Sequence, residues 1–337
     1  MKMINYLSSK PINLYAVEKY LSISKMEQKY TNGGPVKRLL EQKLEQLLHL
    51  DASKKVLCVC NGTAAMQAVM FLCKKNGITK WALPSYTFPA AVVGNIFDVT
   101  VMDISKKTYT LDLNKIKNFH GIIITNLFGT CKDVEKITNF CLENNLTLIF
   151  DNAASPLSTY KGINICNFGD YCIGSLHHTK YLGYGEGGFI ICNKNEYEIL
   201  TDISNFGFPN YTENMQFASN YKMSDVAAAF ILARISNFNI SKYMEIQNKM
   251  ISTIGEKHIF NYSSGVFYNS LPVLFEKPIK KKYFLDNDIV VNKYYQPILK
   301  NKNSTHLYNR MINLPLHEEL NDTEIDRIAN LVLVKFK

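Results

Sequence analysis

Short apolar segments alternate with longer amphipathic segments between Lys55 and Cys192, and this alternation limits the fold more than any other feature of the sequence. The amphipathic segments predict helices at Ala64–Lys75 and Asp133–Asn145, the second opened by an acidic residue at the favourable end. The apolar segments predict seven strands, at Lys55–Cys60, Lys80–Leu83, Val99–Asp103, Gly121–Leu127, Thr147–Asp151, Tyr171–Gly174 and Phe189–Cys192. Because strands joined through helices run parallel, the pattern predicts the α/β class, with a mostly parallel sheet flanked by helices on both faces.

A change of pattern near residue 220 predicts a second domain. From there the chain has the pattern of a helix, Met223–Asn237, then of short strands with polar turns, and finally of a helix, Thr323–Val334. The final helix opens with Thr323-Glu324-Ile325-Asp326, which resembles a capping box with Asp as its fourth residue. The length of 337 residues also exceeds what one simple core usually holds. We therefore expect a large domain over residues 1–225 and a smaller α+β domain over residues 226–337.

Charge and composition argue against several classes of protein. The net charge is +9, but only four of the 38 basic residues are Arg, whereas nucleic-acid faces usually combine Arg with aromatic residues. The dense cluster Lys280–Lys282 is predicted to be a solvated loop, and no nucleic-acid partner is expected. There is no run of 18 apolar residues and no apolar signal region at the N-terminus, so we expect neither a membrane span nor secretion. The eight cysteines form no C-x-x-C pair and predict free thiols in a cytoplasmic protein.

The segment Asn61-Gly62-Thr63-Ala64-Ala65 stands between a predicted strand and a predicted helix. Small residues let the backbone approach a ligand closely, and the start of the helix offers unpaired N–H groups and the positive end of its dipole. The turn therefore suits a phosphate group. A strand-to-helix turn also needs glycine for purely local reasons, and both interpretations stay open on these residues alone.

Two further motifs carry ionisable side chains. Asp151 ends an apolar run, and the carboxyl ends of parallel strands line ligand crevices in open α/β sheets; the alternative is a helix N-cap. Lys180 lies between a predicted strand and the glycine-rich turn Gly185–Gly188, and a buried lysine has a lowered pKa and can form a Schiff base with a carbonyl. The adjacent His177 and His178 would point to opposite faces of a strand, so no metal site is expected.

Taken in order, these motifs resemble the DegT–DnrJ family of sugar-nucleotide aminotransferases. The interval between Asp151 and Lys180 is 180 − 151 = 29 positions, which fits the family without a gap. The resemblance extends over most of the chain, through Thr31–Pro35, Asn61–Ala65, Pro84–Phe88, Asp103 with Thr108-Tyr109, Leu127–Gly129, Thr159–Gly162, Phe168–Asp170, Ser175–Gly188, Asn220–Ser224 and Leu314–His317. It implies the PLP-dependent transferase type I fold, that of aspartate aminotransferase, with pyridoxal 5'-phosphate (PLP) as cofactor and a homodimer with shared active sites.

The resemblance also implies roles for individual residues. Lys180 would form the Schiff base, and Asp151 would stay ionised and hold the pyridine nitrogen of PLP protonated; these are the two predicted catalytic residues. The other predicted cofactor contacts are the amides of Thr63 and Ala64 with Ser175 at the phosphate, Phe88 stacked on the ring, and Asn220, which would reach the phosphate of the partner subunit. The residues predicted at the substrate are Asn32, Gly33, His177, Lys222 and His317.

The sequence departs from the family pattern at three positions. Relatives usually have Gln or His three positions after the aspartate, near the phenolic oxygen of the cofactor, where this chain has Ala154. Asn126 stands where many relatives have His, and Lys222 replaces a usual Arg, which removes a bidentate contact. These departures concern the identity of the substrate and do not affect the cofactor.

The function implied by the resemblance is transfer of an amino group from glutamate to a nucleotide-linked 4-keto-6-deoxyhexose, on dTDP or UDP, for synthesis of a surface glycan such as O-antigen. Amination at C3 instead of C4 stays open. Three other classes lack support in the sequence. A PLP sugar dehydratase of this fold would have His in place of Lys180, and a non-enzymatic sensor would lack Lys180 or Asp151. A nucleotide-binding dehydrogenase would carry Gly-x-Gly-x-x-Gly after the first strand, and this sequence has none there.

Overall fold

The computed structural model describes residues 2–130 and 133–336, and the predicted free thiol of Cys131 lies outside these residues. The helices are α1 Leu14–Glu27, α2 Pro35–Leu47, α3 Gly62–Lys75, α4 Val134–Glu143, α5 Tyr197–Ile203, α6 Tyr211–Asn214, α7 Asp225–Asn237, α8 Ile240–Ile254, α9 Lys282–Leu285, α10 Lys302–Arg310 and α11 Asp322–Leu333. The strands are β1 Lys54–Val59, β2 Lys80–Pro84, β3 Asp98–Met102, β4 Gly121–Thr125, β5 Thr147–Asp151, β6 Thr159–Tyr160, β7 Ile163–Asn164, β8 Tyr171–Ser175, β9 Gly188–Asn193, β10 Leu271–Leu274 and β11 Met311–Leu314.

A seven-stranded sheet forms the centre of the molecule, in the order β1-β9-β8-β5-β4-β2-β3. Strands β8, β5, β4, β2 and β3 pair in parallel, whereas β9 runs antiparallel to both of its neighbours, β1 and β8. Alternate residues of β1 belong to two separate apolar cores, with Val56 and Cys58 in one and Leu57 and Val59 in the other. Both faces of the sheet are therefore buried, which confirms the predicted α/β class.

Two of the predicted boundaries that differ from the structure do so for local reasons. β4 ends at Thr125 instead of Leu127, because residues 127–129 form a tight turn in which Phe128 has φ 59°. The last helix, α11, is capped by Asn321, whose side chain accepts the N–H of Glu324 while the Glu324 carboxylate accepts the N–H of Asn321. The capping box thus begins two residues before the predicted one, because Asn is as good an N-cap as Thr.

Helices α1, α2 and α7 pack together beside the sheet. The buried carboxylate of Asp225, at the start of α7, accepts the N–H groups of Val36 (3.0 Å) and Lys37 (2.9 Å) at the start of α2. It also accepts the hydroxyl of Ser24 at 2.6 Å. A Cβ on Gly34 would lie 2.4 Å from this carboxylate, so the close approach requires glycine. Helix α7 thus packs with elements of the predicted large domain, and a division at residue 225 stays a prediction.

The C-terminal part is joined to the sheet and to the N-terminal segment. Asp103, just after β3, accepts the N–H groups of Asn303 (2.9 Å) and Ser304 (3.0 Å) in the first turn of α10. Ile4 forms a bridge with Ile289. The C-terminal part therefore sits against the carboxyl end of β3, beside the cavity described next. The Lys280–Lys282 cluster is exposed, as predicted.

Candidate active site

A cavity of about 490 Å³ lies at the carboxyl ends of the parallel strands. The strand register places Thr125, at the end of β4, opposite Asp151, at the end of β5, and Asp151 opposite Ile173 on β8. Six of the residues predicted for the site line this cavity: Thr63, Phe88, Asp151, Ser175, His177 and Lys180. The fold thus brings the three sequence motifs together.

A wider surface cleft of about 890 Å³ lies elsewhere, between the segment 105–114 and α4. Its ionisable side chains, such as Lys107, Asp112 and Glu135, are half-buried or exposed. The smaller cavity is the candidate active site, because it contains a carboxylate and an amine that are shielded from water and interact with each other.

Helix α3 begins in the wall of the cavity with two unpaired N–H groups. Asn61 is the N-cap, and its Oδ1 accepts the N–H of Ala64 at 2.8 Å. The N–H groups of Gly62 and Thr63 have no acceptor in the described part of the chain. Ser175 lies beside them, since a Cβ on Gly62 would approach the Ser175 Cβ to 3.4 Å. The two N–H groups, the helix dipole and the hydroxyl suit a phosphate group, whereas the predicted Ala64 amide is already used by Asn61.

The carboxylate of Asp151 is buried at the end of β5. Among the described residues it accepts a single hydrogen bond, from the N–H of Ala153 to Oδ1 at 3.0 Å. Residues 152–158 form turns instead of a helix, so the alternative of a helix N-cap is wrong. Burial raises the pKa of Asp151, while the Ala153 N–H and the Lys180 charge act against this rise. In the chain alone burial therefore outweighs the Ala153 N–H and the Lys180 charge, and the protonated pyridine nitrogen that was expected to keep the carboxyl ionised is not part of this balance. A cation at the carboxylate, such as a protonated pyridine nitrogen, would offset burial, and the residues fit PLP in this respect.

Lys180 lies in the loop His177–Gly183, which follows β8. Its N–H donates to the carbonyl of His177 at 2.8 Å, and its carbonyl accepts the N–H of Gly183 at 2.9 Å. A Cβ on Gly183 would lie 2.1 Å from the His177 carbonyl oxygen, so this compact loop requires glycine. Burial lowers the pKa of Lys180, opposed by the charge of Asp151. The shift favours the neutral amine, which is the form that reacts with a carbonyl.

The rim of the cavity carries His177 and Phe88. The Nδ1 atom of His177 accepts the N–H of Thr179 at 3.2 Å, so the ring proton is on Nε2, which lies 3.5 Å from an Oε1 oxygen of Glu186. The side chain of Phe88 is 54% exposed, although it lines the cavity. An exposed aromatic ring at this place is available to cover a planar ligand.

Several residues of the cavity carry no signal in the sequence. Asn269 accepts the N–H of Tyr181 at 3.0 Å and donates to the carbonyl of Thr179 at 3.2 Å, so it holds the backbone on both sides of Lys180. Tyr295 stacks on Phe128 with ring centroids 5.5 Å apart. These residues come from segments distant in sequence and belong to no local motif, so only the fold identifies them. Thr125, Ser270 and Tyr294 also line the cavity.

The structure shows where two of the departures from the family pattern lie. Ala154 lines the cavity with a methyl group only. Asn126 is buried behind the cavity, where its Nδ2 donates to Oδ1 of Asn152 at 2.5 Å and its backbone N–H donates to the Asp151 carbonyl at 3.1 Å. Asn126 therefore supports the end of β5 and does not face the ligand space.

The predicted substrate residues other than His177 do not line the cavity of the single chain. Asn32 is exposed and Gly33 half-buried in the turn before α2. The Nζ atom of Lys222 lies 4.2 Å from the centre of the Phe206 ring. His317 is buried and donates from Nε2 to the carbonyl of Asn5 at 3.1 Å, which is a structural contact of the N-terminal segment.

Asn220 is exposed and lies outside the cavity of its own chain. It forms a bridge with Asn205. The N-cap of α7 is Ser224, whose hydroxyl accepts the N–H of Ala227 at 3.2 Å. Ser224, and not Asn220, therefore caps this helix.

Metal and membrane sites are absent from the part of the chain that the structure describes. No cluster of three or more His, Cys, Asp or Glu side chains among these residues could hold a metal ion. No helix among them has the length and apolar character needed to cross a membrane. The seven described cysteines are free thiols.

Comparisons with known proteins agree with this geometry. The chain is 24% identical to a dTDP-4-amino-4,6-dideoxy-D-glucose transaminase of Shigella dysenteriae, over 93% of this chain and 94% of that protein. It is 26% identical to a UDP-2-acetamido-2-deoxy-3-oxo-D-glucuronate aminotransferase of Pseudomonas aeruginosa, over 61% of this chain and 59% of that protein. The structure of a DegT DnrJ EryC1 StrS aminotransferase from Brucella abortus matches with a TM-score of 0.81 at 20% identity, over 96% of each chain.

Fold, cavity and relatives together define a PLP-dependent aminotransferase of the type I fold. The sequence pattern of the DegT/DnrJ/EryC1/StrS aminotransferase family matches residues 16–254, and the chain belongs to that family. Its cofactor is pyridoxal 5'-phosphate, and its relatives are aminotransferases of sugar nucleotides.

Proposed function

We propose that this enzyme transfers the amino group of glutamate to a nucleotide-linked 4-keto-6-deoxyhexose, on dTDP or UDP, and so supplies an amino-deoxy sugar for a surface glycan. The observation that carries the proposal is a single cavity that contains Lys180, Asp151 and the unpaired N–H groups of Gly62 and Thr63. The position of the keto group is supported by the Shigella dysenteriae relative, which is named for a 4-amino sugar and matches along most of the chain.

Each residue of the cavity has its own role in this proposal. PLP, when bound, supplies an electron sink for the carbon that loses a proton. The N–H groups of Gly62 and Thr63 and the hydroxyl of Ser175 bind the phosphate, and Asp151 holds the proton on the pyridine nitrogen. The Lys180 amine, whose neutral form is favoured by burial, carries a proton between the α-carbon of the donor and the carbon that accepts it. With the sugar substrate Lys180 moves the proton in the reverse direction.

The working unit in this proposal is a homodimer with shared active sites. Asn220 is exposed and caps no helix, so it is free to contact a phosphate in the neighbouring subunit. Large apolar side chains close to it in sequence are exposed, namely Phe206, Phe208, Tyr211 and Met215. Exposed apolar side chains of this kind are typical of an interface between subunits. Asn32 and Gly33, which lie outside the cavity of their own chain, would serve the partner's substrate in the same way.

Amination at C3 is the second candidate, because the Pseudomonas aeruginosa relative is named for a 3-oxo sugar. That relative matches over a smaller share of the chain than the 4-amino relative does. We place the reaction in the cytoplasm, in agreement with the free thiols of the seven described cysteines.

The test is incubation of the purified enzyme with PLP, glutamate and a panel of 4-keto and 3-keto sugar nucleotides on dTDP, UDP and GDP. We expect an amino sugar from a 4-keto substrate, identified by mass and by NMR, and none with Lys180→Ala as the control. Turnover restricted to 3-keto substrates would select the second candidate. Absence of amino transfer to every sugar nucleotide, with PLP bound, would refute the proposal.

A further inference from the structure

Lys10, in the segment before α1, is buried with its ammonium group against the loop that carries Lys180. Only 4% of its surface is exposed. The Nζ atom donates to the carbonyls of His178, Lys180 (2.5 Å) and Gly183 (3.0 Å). An ammonium group has three N–H donors, and all three are used on this one loop.

A second buried cation lies behind the same loop. The Nε atom of Arg234, on α7, donates to the carbonyl of Tyr181 at 3.0 Å, and its Nη2 lies 2.7 Å from Glu318. Among the described residues, no carboxylate accepts a hydrogen bond from Lys10, and its three bonds go to the loop carbonyls. A buried charge is costly unless it is fully hydrogen-bonded, and hydrogen bonds from a charged donor are stronger than neutral ones. The loop and Lys10 therefore hold each other in place.

The backbone that carries Lys10 is itself fixed. The N–H of Ser9 donates to both carboxylate oxygens of Glu319, at 3.0 and 3.1 Å. The bridge between Ile4 and Ile289 ties the start of the segment to the C-terminal part. The ammonium group is thus presented from an anchored segment, and it can fix the position of what it binds.

The three carbonyls lie on both sides of the Lys180 Cα atom. Fixing them sets the orientation of the peptide groups around residue 180 and hence the direction in which its side chain leaves the backbone. A lysine side chain is long and flexible, so the place of its amine depends on this starting direction. A misplacement of about 1 Å in a reacting group can reduce a rate a hundredfold.

We propose that Lys10 is a positioning residue for Lys180: its ammonium group fixes the backbone of residues 178–183 so that the Lys180 amine lies in the cavity with Asp151. The proposal rests on the role of Lys180 given under the proposed function. It assigns a task at the active site to a residue that does not line the cavity.

The test compares Lys10→Met with Lys293→Met. Lys293 is a matched control, because its Nζ also donates to three carbonyls, those of Ile279 (3.0 Å), Asn309 (2.9 Å) and Met311 (3.1 Å), none of them in the Lys180 loop. The first readout is amide hydrogen exchange of residues 178–183 in the apoprotein, by mass spectrometry. The second is the rate at which Lys180 reacts with PLP, followed by absorbance.

For Lys10→Met we expect the amide exchange rates of residues 178–183 to increase at least about tenfold, which corresponds to about 1.4 kcal/mol. We also expect the time that PLP needs to react with Lys180 to increase at least about tenfold. For Lys293→Met we expect neither change. If Lys10→Met does not fold, Lys10→Gln, which keeps two N–H donors without the charge, should show the same two changes. Unchanged protection of residues 178–183 in the folded Lys10 variant, or an equal change in Lys293→Met, would overturn the proposal. The exchange readout needs no substrate, so it is decided independently of the proposed function.

Discussion

Replacement of Asp151 by Asn separates the charge of the carboxylate from its place in the fold. The two side chains have nearly the same shape, and the Asn Oδ1 can still accept the Ala153 N–H that Asp151 accepts at 3.0 Å. This is the single hydrogen bond that the carboxylate accepts within the described residues. The apoprotein should therefore keep its fold, and the charge alone is removed.

The expected loss of turnover follows from that charge. Two opposite unit charges about 4 Å apart, at an effective dielectric constant near 20, attract each other by about 4 kcal/mol. At about 1.4 kcal/mol per pKa unit, Asp151→Asn lowers the pKa of the bound pyridine nitrogen by about three units. The protonated fraction falls accordingly, and we expect kcat at saturating PLP to fall by about a thousandfold.

Asp151→Asn should not lower the stability of the apoprotein. Burial raises the pKa of Asp151 above its ordinary value of 3.8. In the window above 3.8 the native state thus binds more protons than the unfolded state, so the free energy of unfolding falls with rising pH. The Asn variant lacks this penalty. Relative to the wild type, it should be equally stable near pH 3 and more stable at neutral pH, which urea unfolding of both apoproteins at the two values measures.

Asp225→Asn is the matched control for Asp151→Asn. Asp225 is also a buried carboxylate, but it accepts hydrogen bonds from Ser24, Val36 and Lys37 and does not line the cavity. We expect this variant to lose stability by about 1 to 3 kcal/mol and to keep kcat per folded molecule. Turnover of Asp151→Asn near that of the wild type at saturating PLP would refute the role of the Asp151 charge.

Further outcomes test the cofactor site, the dimer and the buried lysine. Borohydride reduction of the PLP-bound enzyme should fix a pyridoxyl group on Lys180, and peptide mapping that finds the label on another lysine would contradict the assignment. Ser175→Ala should raise the Kd for PLP about tenfold through loss of a hydrogen bond to the phosphate, measured by absorbance; an unchanged Kd would remove Ser175 from the site. Lys180→Ala and Asn220→Ala chains refolded together should regain activity in heterodimers with one intact site. The controls are light scattering, which confirms that dimers form, and Asn220→Ala alone, which should be inactive. If both controls hold and no activity returns, Asn220 does not contact the phosphate in the partner's site. Burial is the main cause that lowers the pKa of Lys10 from 10.5 to about 7, so the ammonium form with its three donors prevails below about pH 7. The charges of Arg234 and Lys180 add to this shift, and that of Glu318 opposes it. Between these two pKa values the unfolded chain binds more protons than the native state. In this window the free energy of unfolding of the wild type, measured with urea, should therefore rise with pH relative to that of Lys10→Met. A difference between the two proteins that stays constant with pH would contradict the lowered pKa.

The interior strands of the sheet are predictable from the sequence because they are buried on both faces. Strand β4, Gly121–Thr125, is buried at every position and therefore has the continuous apolar run that indicates an interior parallel strand. Helix α1 escapes prediction because it buries little: Val17 and Ser24 are its buried residues, and its sequence shows no clear apolar stripe. Packing against α2 and α7, which no local pattern reveals, supports this helix instead.

Part of the candidate site can likewise be predicted from the sequence, and part of it cannot. Asp151 and Lys180 can be predicted because Asp151 ends a strand, Lys180 follows one, and their interval matches a family. Lys10 and Asn269 cannot, because they bind backbone carbonyl and N–H groups, which every residue has, and so leave no trace in the choice of neighbouring side chains. The effect of burial on the pKa of Asp151 is likewise a property of the fold and not of the motif.

The buried ammonium group of Lys10 has a consequence for the order in which the enzyme assembles. Its partners His178, Lys180 and Gly183 are 168, 170 and 173 positions away along the chain, and the neighbouring Ser9 binds Glu319 across 310 positions. Contacts that close such long loops form late, because the entropy of closure is lost before the contact returns any energy. The helices, whose hydrogen bonds are local, can therefore form while the loop of Lys180 is still unset, so during refolding the ability to bind PLP should return after the helices have formed.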